Sequence, residues 1–316
     1  MGRYLARRLA FAAFLVVAVS SVSFVLARLA PGDFATEALG LDARRETIEQ
    51  MRARYGLNKS IGAQYRDWVV AAARLDFGRS LLYDRPVRDL IPERAANSAI
   101  LGITALAFAT LVGLPLGIVT GSRRGGILPA VIRSTSLVLL SMPPLLTSLF
   151  FVFLAARTGW LPIAGMRSAV VPASGATIDL LNHLIVPAAA IALPLAAMLE
   201  RLQAQAMTDV VSEPFVLASF ARGVSRSRIV WHDALKPALR PVASVYGLMV
   251  GTALSGSFVV EVITAWPGLG RLMLDALRAR DVYLVAGCAG TGALFLAFGT
   301  LLSDVALGLV DPRARE

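Results

Sequence analysis

Cysteine, histidine and charge are all scarce in this chain of 316 residues. A single cysteine, Cys288, excludes an internal disulfide and any cysteine-cluster metal site. Only two histidines are present, His183 and His232, too far apart in sequence to argue for a metal by themselves. Charged side chains make up 16% of the sequence and hydrophobic ones 56%. A soluble domain carries roughly 25% and about 45–50% respectively. With a mean hydropathy of +0.67, a water-soluble enzyme is disfavoured before any motif is read.

What the chain has instead is apolar runs near the ~20 residues that a helix needs to cross about 30 Å of hydrocarbon. Six stand out, at 9–29, 97–120, 131–156, 184–199, 242–260 and 282–310. Helices are the only open-chain way to satisfy every backbone amide in lipid. The expected fold class is therefore all-α, a polytopic membrane bundle of six transmembrane helices. Arg3, Arg7 and Arg8 ahead of the first run could head a cleavable signal peptide. The run is longer than the usual core of about 7–15 residues, and Arg28-Leu-Ala-Pro-Gly is no small-x-small cleavage site, so a retained span is expected. The fourth run is short and expected to extend at either end.

The net charge of +10 follows topology rather than a nucleic-acid surface. With a cytoplasmic N-terminus, the inner segments hold 14 Lys and Arg, and the two short outer loops hold 5. That asymmetry places both termini in the cytoplasm. The chain then divides into the first helix (1–29), an extracytoplasmic insert (30–96) and a core with five membrane helices (97–316). In the insert, 11 basic and 10 acidic residues nearly cancel. Its residues Tyr65, Trp68, Val69, Ala72 and Leu75 form one stripe of an amphipathic helix. That stripe either packs on the membrane domain or docks a partner.

Gly113 and Gly117, with Gly121 four residues further on, repeat a small residue every fourth position; so do Gly247, Gly251 and Ser255. In lipid, such faces let helix backbones approach and gain van der Waals contact. Pro115, Pro143-Pro144 and Pro194 predict kinks or breaks. The acids Glu200, Glu261 and Asp304 sit near predicted span ends, where a carboxylate can reach the headgroups. No chain of acids crosses the membrane, which disfavours a proton-coupled pump.

Between the fourth and fifth runs, Ser212-Glu-Pro-Phe-Val-Leu-Ala-Ser-Phe-Ala-Arg-Gly223 leads into a basic segment from Ser225 to Pro237. This predicts two short helices joined at a glycine. Ser212 is the expected N-cap, Glu213 complements the helix dipole and Pro214 fits the first turn. Gly223 suits the left-handed residue that ends a helix. Ser225 is placed to cap the second helix and Pro237 to end it. Phe215, Ala218, Ser219 and Arg222 are expected on one face. Such a hook either lies on acidic headgroups or plugs into a soluble partner.

The spacing Ala218-Ser-Phe-Ala-Arg-Gly223, followed by Asp233-Ala-Leu-Lys-Pro-Ala-Leu-Arg-Pro241, resembles the coupling-helix motif of ABC importer permeases, in the dipeptide/oligopeptide branch. Similar to that branch as well are Leu29-Ala-Pro-Gly-Asp33, Tyr55-Gly-Leu57, Gln64-Tyr-x-x-Trp68, Asp76-Phe-Gly-Arg-Ser80 and Arg85-Pro-Val87. Pro267-Gly-Leu-Gly270, Arg280-Asp281 and Leu309-Val-Asp-Pro-Arg313 complete the set, in order along nearly the whole chain. Departures are Leu217 for the coupling glutamate, Phe34 for a usual proline and Arg222 for a common lysine.

The resemblance implies a type I importer permease in the bacterial inner membrane, forming half of a pore. Its implied partners are a second homologous permease, two cytoplasmic ATPases carrying ATP and Mg, and an extracytoplasmic solute-binding protein. Glu213, Phe215, Ala218, Ser219, Arg222 and Gly223 would contact the ATPase. The chain has no G-x-x-x-x-G-K-[ST] loop, so no cofactor, metal or catalytic residue is expected in it. Di- or oligopeptides are the implied cargo, with nickel complexes, opines and short glycans open. The rival is an ion-coupled secondary transporter, which needs ion-binding residues in broken helices. An intramembrane serine protease at Ser255 has no base.

Overall fold

The computed structural model describes residues 2–40, 43–123, 125–168 and 175–310, without the side chains of 2–5, 255–256 and 306–310. Every regular element among them is helical. In order these are α1 (Gly2–Leu29), α2 (Phe34–Leu39), α3 (Arg45–Arg54), α4 (Ile61–Ala72), α5 (Val87–Ser122), α6 (Ile127–Ser141) and α7 (Pro144–Thr158). Then follow α8 (Ala176–Val211), α9 (Pro214–Ala221), α10 (Arg226–Arg228), a π-helical turn (Ile229–Ala234), α11 (Leu235–Ala238), α12 (Arg240–Ile263), α13 (Leu269–Arg278) and α14 (Val282–Val310). Five helices, α1, α5, α8, α12 and α14, are long and apolar enough to cross a membrane.

The expected third span is not straight. It breaks into α6 and α7, which are bent by 105°. Met142, ahead of Pro143, is extended at φ −90° and ψ 118°, as a pre-proline residue prefers. Two successive prolines then give no N–H to the preceding turn. The pair makes a sixth span only if both arms count as one. Two other helices outrun their apolar runs: α5 begins at Val87, inside the expected insert, and α8 reaches Val211.

These residues form two compact units, one of residues up to Ser98 with Pro267–Ala297, the other of Ala99–Trp266 with residues from Phe298 on. In the first, the α4 stripe is spent on the membrane helix. Trp68 stacks on Phe24 of α1 at 5.1 Å, and Tyr65 donates to the Ser21 hydroxyl at 2.9 Å. Val69 and Leu75 stay exposed. Asp33 opens α2 with a capping box to Thr36 and pairs with Arg52 at 2.6 Å. Burial raises its pKa, but the bonds from Arg52 and Thr36 together hold it below the usual carboxylate value. Asp281 accepts from the Ser80 hydroxyl at 2.6 Å and from the amides of Leu82 and Leu284, both at 3.1 Å. Here burial wins and its pKa is raised.

In the second unit the glycines do the packing. A methyl added at Gly113 would lie 2.5 Å from the Ala196 carbonyl oxygen, and one at Gly117 would lie 2.6 Å from that of Glu200. Gly121 meets Ala204 in the same step of four, so α5 lies directly on α8. Gly247 of α12 rests on Gly299, Thr300 and Ser303 of α14. Gly251 is buried in α12, while the Ser255 side chain falls outside the described residues, as does the end of the Leu309–Arg313 motif.

Candidate functional site

The hook begins where α8 ends, and its capping differs from expectation. The Ser212 hydroxyl donates back to the Asp209 carbonyl at 2.7 Å, closing α8 rather than opening α9. Glu213 occupies the N-cap instead, because a residue before proline is held extended (φ −67°, ψ 145°). Its side chain makes no cap hydrogen bond, and its charge lies at the positive end of α9.

Along α9, Val216 and Ser219 turn inward, whereas Phe215, Leu217, Ala218, Phe220 and Arg222 are exposed. The expected face therefore splits, with Ser219 on the buried side. Its hydroxyl accepts from the Arg222 guanidinium at 3.0 Å, which folds that cation along the helix. Gly223 ends the helix at φ +75°. Its N–H bonds the Phe220 carbonyl, and the Val224 N–H bonds that of Ser219, the paired bonds of a Schellman motif.

Ser225 takes the N-cap of the next helix without a side-chain bond. Pro237 does not end that helix. Only Leu239 separates α11 from α12, and Leu239 and Ala243 keep i−4 bonds across the junction. Pro237 has no N–H for the Asp233 carbonyl, and the chain passes that point through the π turn.

Val216, fully buried, is the anchor that sequence reasoning missed. It joins Ile118 of α5, Ala206 and Met207 of α8, and Ile229, Val230, Ala234 and Ala238 of the second hook helix. One apolar residue among several in eight gives no signal of its own. Equally unforeseen is the end of α5, where a helix leaves its last carbonyls without partners. Arg133 donates to Thr120 O at 2.9 Å, Thr208 to Gly121 O at 3.2 Å and Arg226 to Ser122 O at 2.8 Å. Two cations thus sit at the negative end of α5, one from α6 and one from the hook.

Glu200 and Glu261 do not reach outward as expected. Glu200 is 1% exposed and accepts from the Thr120 hydroxyl at 2.6 Å; Glu261 is fully buried and accepts from Ser257 at 2.9 Å. The run before Glu200 ends where hydropathy falls, but α8 goes eleven residues past it. Glu261 lies two residues before the end of α12 and still turns inward.

The site thus consists of an exposed apolar helix, bolted by one valine to two membrane helices and closed by a left-handed glycine. Known proteins resemble the chain throughout. Residues 113–316 match the model of the "binding-protein-dependent transport system inner membrane component" family, and residues 1–84 match its companion N-terminal model. The oligopeptide transport system permease protein AppB of Bacillus subtilis is 30% identical over 315 residues, 99% of each chain. A putative peptide transport system permease protein of Brucella abortus is 32% identical over 311 residues, 98% of each. The dipeptide transport system permease protein DppB of Escherichia coli is 29% identical over 339 residues, covering 100% of this chain and 99% of its own. The chain belongs to the binding-protein-dependent transport system inner membrane component family, as a membrane permease of the ABC importer type.

Proposed function

We propose that this permease carries di- or oligopeptides inward as half of a two-permease pore, and that α9 is its attachment to a cytoplasmic ATPase. The cargo follows the names of its relatives, which are oligopeptide, peptide and dipeptide permeases. A second homologous permease completes the pore, two ATPases bind ATP and Mg, and a solute-binding protein delivers cargo from outside to the surface around 30–96. Both termini and the hook lie in the cytoplasm.

The observation that carries the attachment is the outward face of α9. Phe215, Leu217 and Phe220, 39–49% exposed, stand on a helix of eight residues held by Val216 beneath. Membrane helices expose apolar groups to lipid, but this one lies beyond the end of a span and among Arg222, Arg226 and Arg228. An apolar knob ringed by cations suits a groove in a soluble partner with an acidic or carbonyl-rich rim. For work to pass, that partner must bind the knob differently in its closed and open forms.

The test is reconstitution of the four-subunit complex with its solute-binding protein in liposomes, followed by peptide uptake. Uptake that needs ATP and the binding protein supports the assignment. Peptide uptake by this chain with neither would overturn it. In the same complex, Phe215→Asp with Phe220→Asp should abolish co-purification of the ATPases; an unchanged yield would remove α9 from the contact.

A further inference from the structure

Pro194 lies inside α8, with no N–H to offer the carbonyl four residues before it, that of Ala190. Ala190 is fully buried, so no water reaches that oxygen. In a bilayer such an orphan is costly, and another helix has to supply the donor. The donor here is Thr147 on α7, whose hydroxyl lies 3.1 Å from the Ala190 oxygen and is itself almost fully buried. Thr147 stands in the first turn after the 105° break, so the double proline is what aims it at α8.

That hydroxyl has a second acceptor. The Pro144 carbonyl, in its own turn, lies 3.0 Å away. A threonine has one proton to donate, so it serves Ala190 or its own turn, where Pro144 O is nearly as close as Ala190 O and Pro143 O lies further off at 3.5 Å. Release from α8 therefore leaves Thr147 still bonded. Beyond Pro194, α8 runs on to Val211, and only two residues separate it from α9. That arm is about 26 Å long at ~1.5 Å per residue, so a bend of about 10° would shift its tip by roughly 4–5 Å.

We propose that Thr147 is a positioning residue for transport: it clasps the orphaned Ala190 carbonyl in one state of the permease and returns to Pro144 in another, so that α8 bends at Pro194 and carries the hook with it. The proposal rests on the attachment of α9 to an ATPase, and adds where the membrane helix yields. In the structure both acceptors lie within reach of the hydroxyl, with α8 against α7.

The experiment uses the complete transporter in liposomes and reads peptide taken up per ATP hydrolysed, together with the melting temperature of the purified complex. Thr147→Val keeps the shape and removes the donor. It should lower uptake per ATP by about 5-fold or more, the effect of losing about one net hydrogen bond, while ATP hydrolysis persists. Thr147→Ser keeps the donor and should stay within about 2-fold of the parent on the same basis. Pro194→Ala restores the N–H to Ala190, so adding Thr147→Val to it should change neither uptake nor melting further. If valine and serine at 147 behave alike, the clasp is wrong. The same holds if Thr147→Val lowers melting as much in the Pro194→Ala background as in the parent. Should Thr147→Val alone fail to assemble, its rescue by Pro194→Ala supports the clasp, and failure of the double variant overturns it. Lack of ATP-dependent uptake by the parent complex would instead count against the attachment itself.

Discussion

In the unit that includes the N-terminal helix, the glycines meet the tips of side chains: Gly78 lies against the Tyr283 ring, Gly287 against Val87 and Ile91, Gly290 against Ser20. In the unit that carries the hook the closest approaches are to backbone: Gly113, Gly117 and Gly121 lie on carbonyls of α8 and Gly247 on that of Gly299, while Gly102 and Gly299 meet the side chains of Leu254 and Val250. A side chain can turn aside, whereas a carbonyl in a helix cannot move without its helix. The first unit is held by aromatic stacks and by polar locks such as Asp281 with Ser80. The second gains its cohesion from close backbone approach, the way association is won where lipid removes any hydrophobic drive between helices. Tolerance to substitution should therefore differ sharply between them.

The largest effect should come from Gly113→Ala. Its methyl would overlap the Ala196 oxygen and the Leu199 Cβ, costing about 3 kcal/mol or more. Gly292→Ala, where an added methyl meets nothing within 4 Å, should be neutral or slightly stabilising. Thermal unfolding of the purified permease distinguishes them, and equal losses would break the contrast. Next comes Asp281→Ala in the first unit. It leaves the Ser80 hydroxyl and the Leu82 and Leu284 amides without their acceptor, an expected loss of about 2–4 kcal/mol in the same assay.

How far could these two chemistries be read in the sequence? The ends of the last two membrane helices were legible, since expected runs 242–260 and 282–310 correspond to Arg240–Ile263 and Val282–Val310. There each helix begins within two residues of its apolar run. The fourth run extends at both ends, as expected, to Ala176–Val211, but how far was not legible, because α8 continues through polar residues such as Gln203, packed against Gly117 of α5, and the exposed Gln205. The left-handed Gly223 was legible because a glycine after a helix has one common use. Ser212 was misplaced because the pre-proline restriction on Glu213 outweighs its own aptitude for capping. The angle at Pro143-Pro144, and what Thr147 meets there, depend on a helix more than forty residues away, and local pattern does not carry that. Among the site residues, Phe215, Ala218 and Arg222 are exposed and Ser219 is buried, so the single face expected of them is divided.

A smaller stability effect should follow Gly223→Val. Nothing within 4 Å opposes a side chain there, so the cost is that of φ +75° alone, about 1–2 kcal/mol. Uptake per ATP should fall much further than stability does, because the angle leaving α9 changes. Normal uptake by a folded Gly223→Val complex would detach the glycine from transport.

The smallest effect is a dependence on pH from two carboxylates of the first unit. Asp281 has a raised pKa, so the folded form holds its proton more tightly than the unfolded chain. Its contribution to stability should grow as pH falls from neutrality through its folded pKa towards the ordinary value of 3.8. Asp33 is lowered, so its contribution is present above 3.8 and lost as pH falls further. Melting followed during acidification should thus firm and then weaken, and Asp281→Asn should remove the first limb. Persistence of that limb in the variant would assign it to another group.

The three donors on the last carbonyls of α5 come from three separate stretches of chain, Arg133, Thr208 and Arg226. Since α5 is also keyed to α8 by glycines at matched steps, neither rod can slip lengthwise past the other. A push arriving at the knob is then received by a braced pair, which leaves turning or flexing as its only outlets.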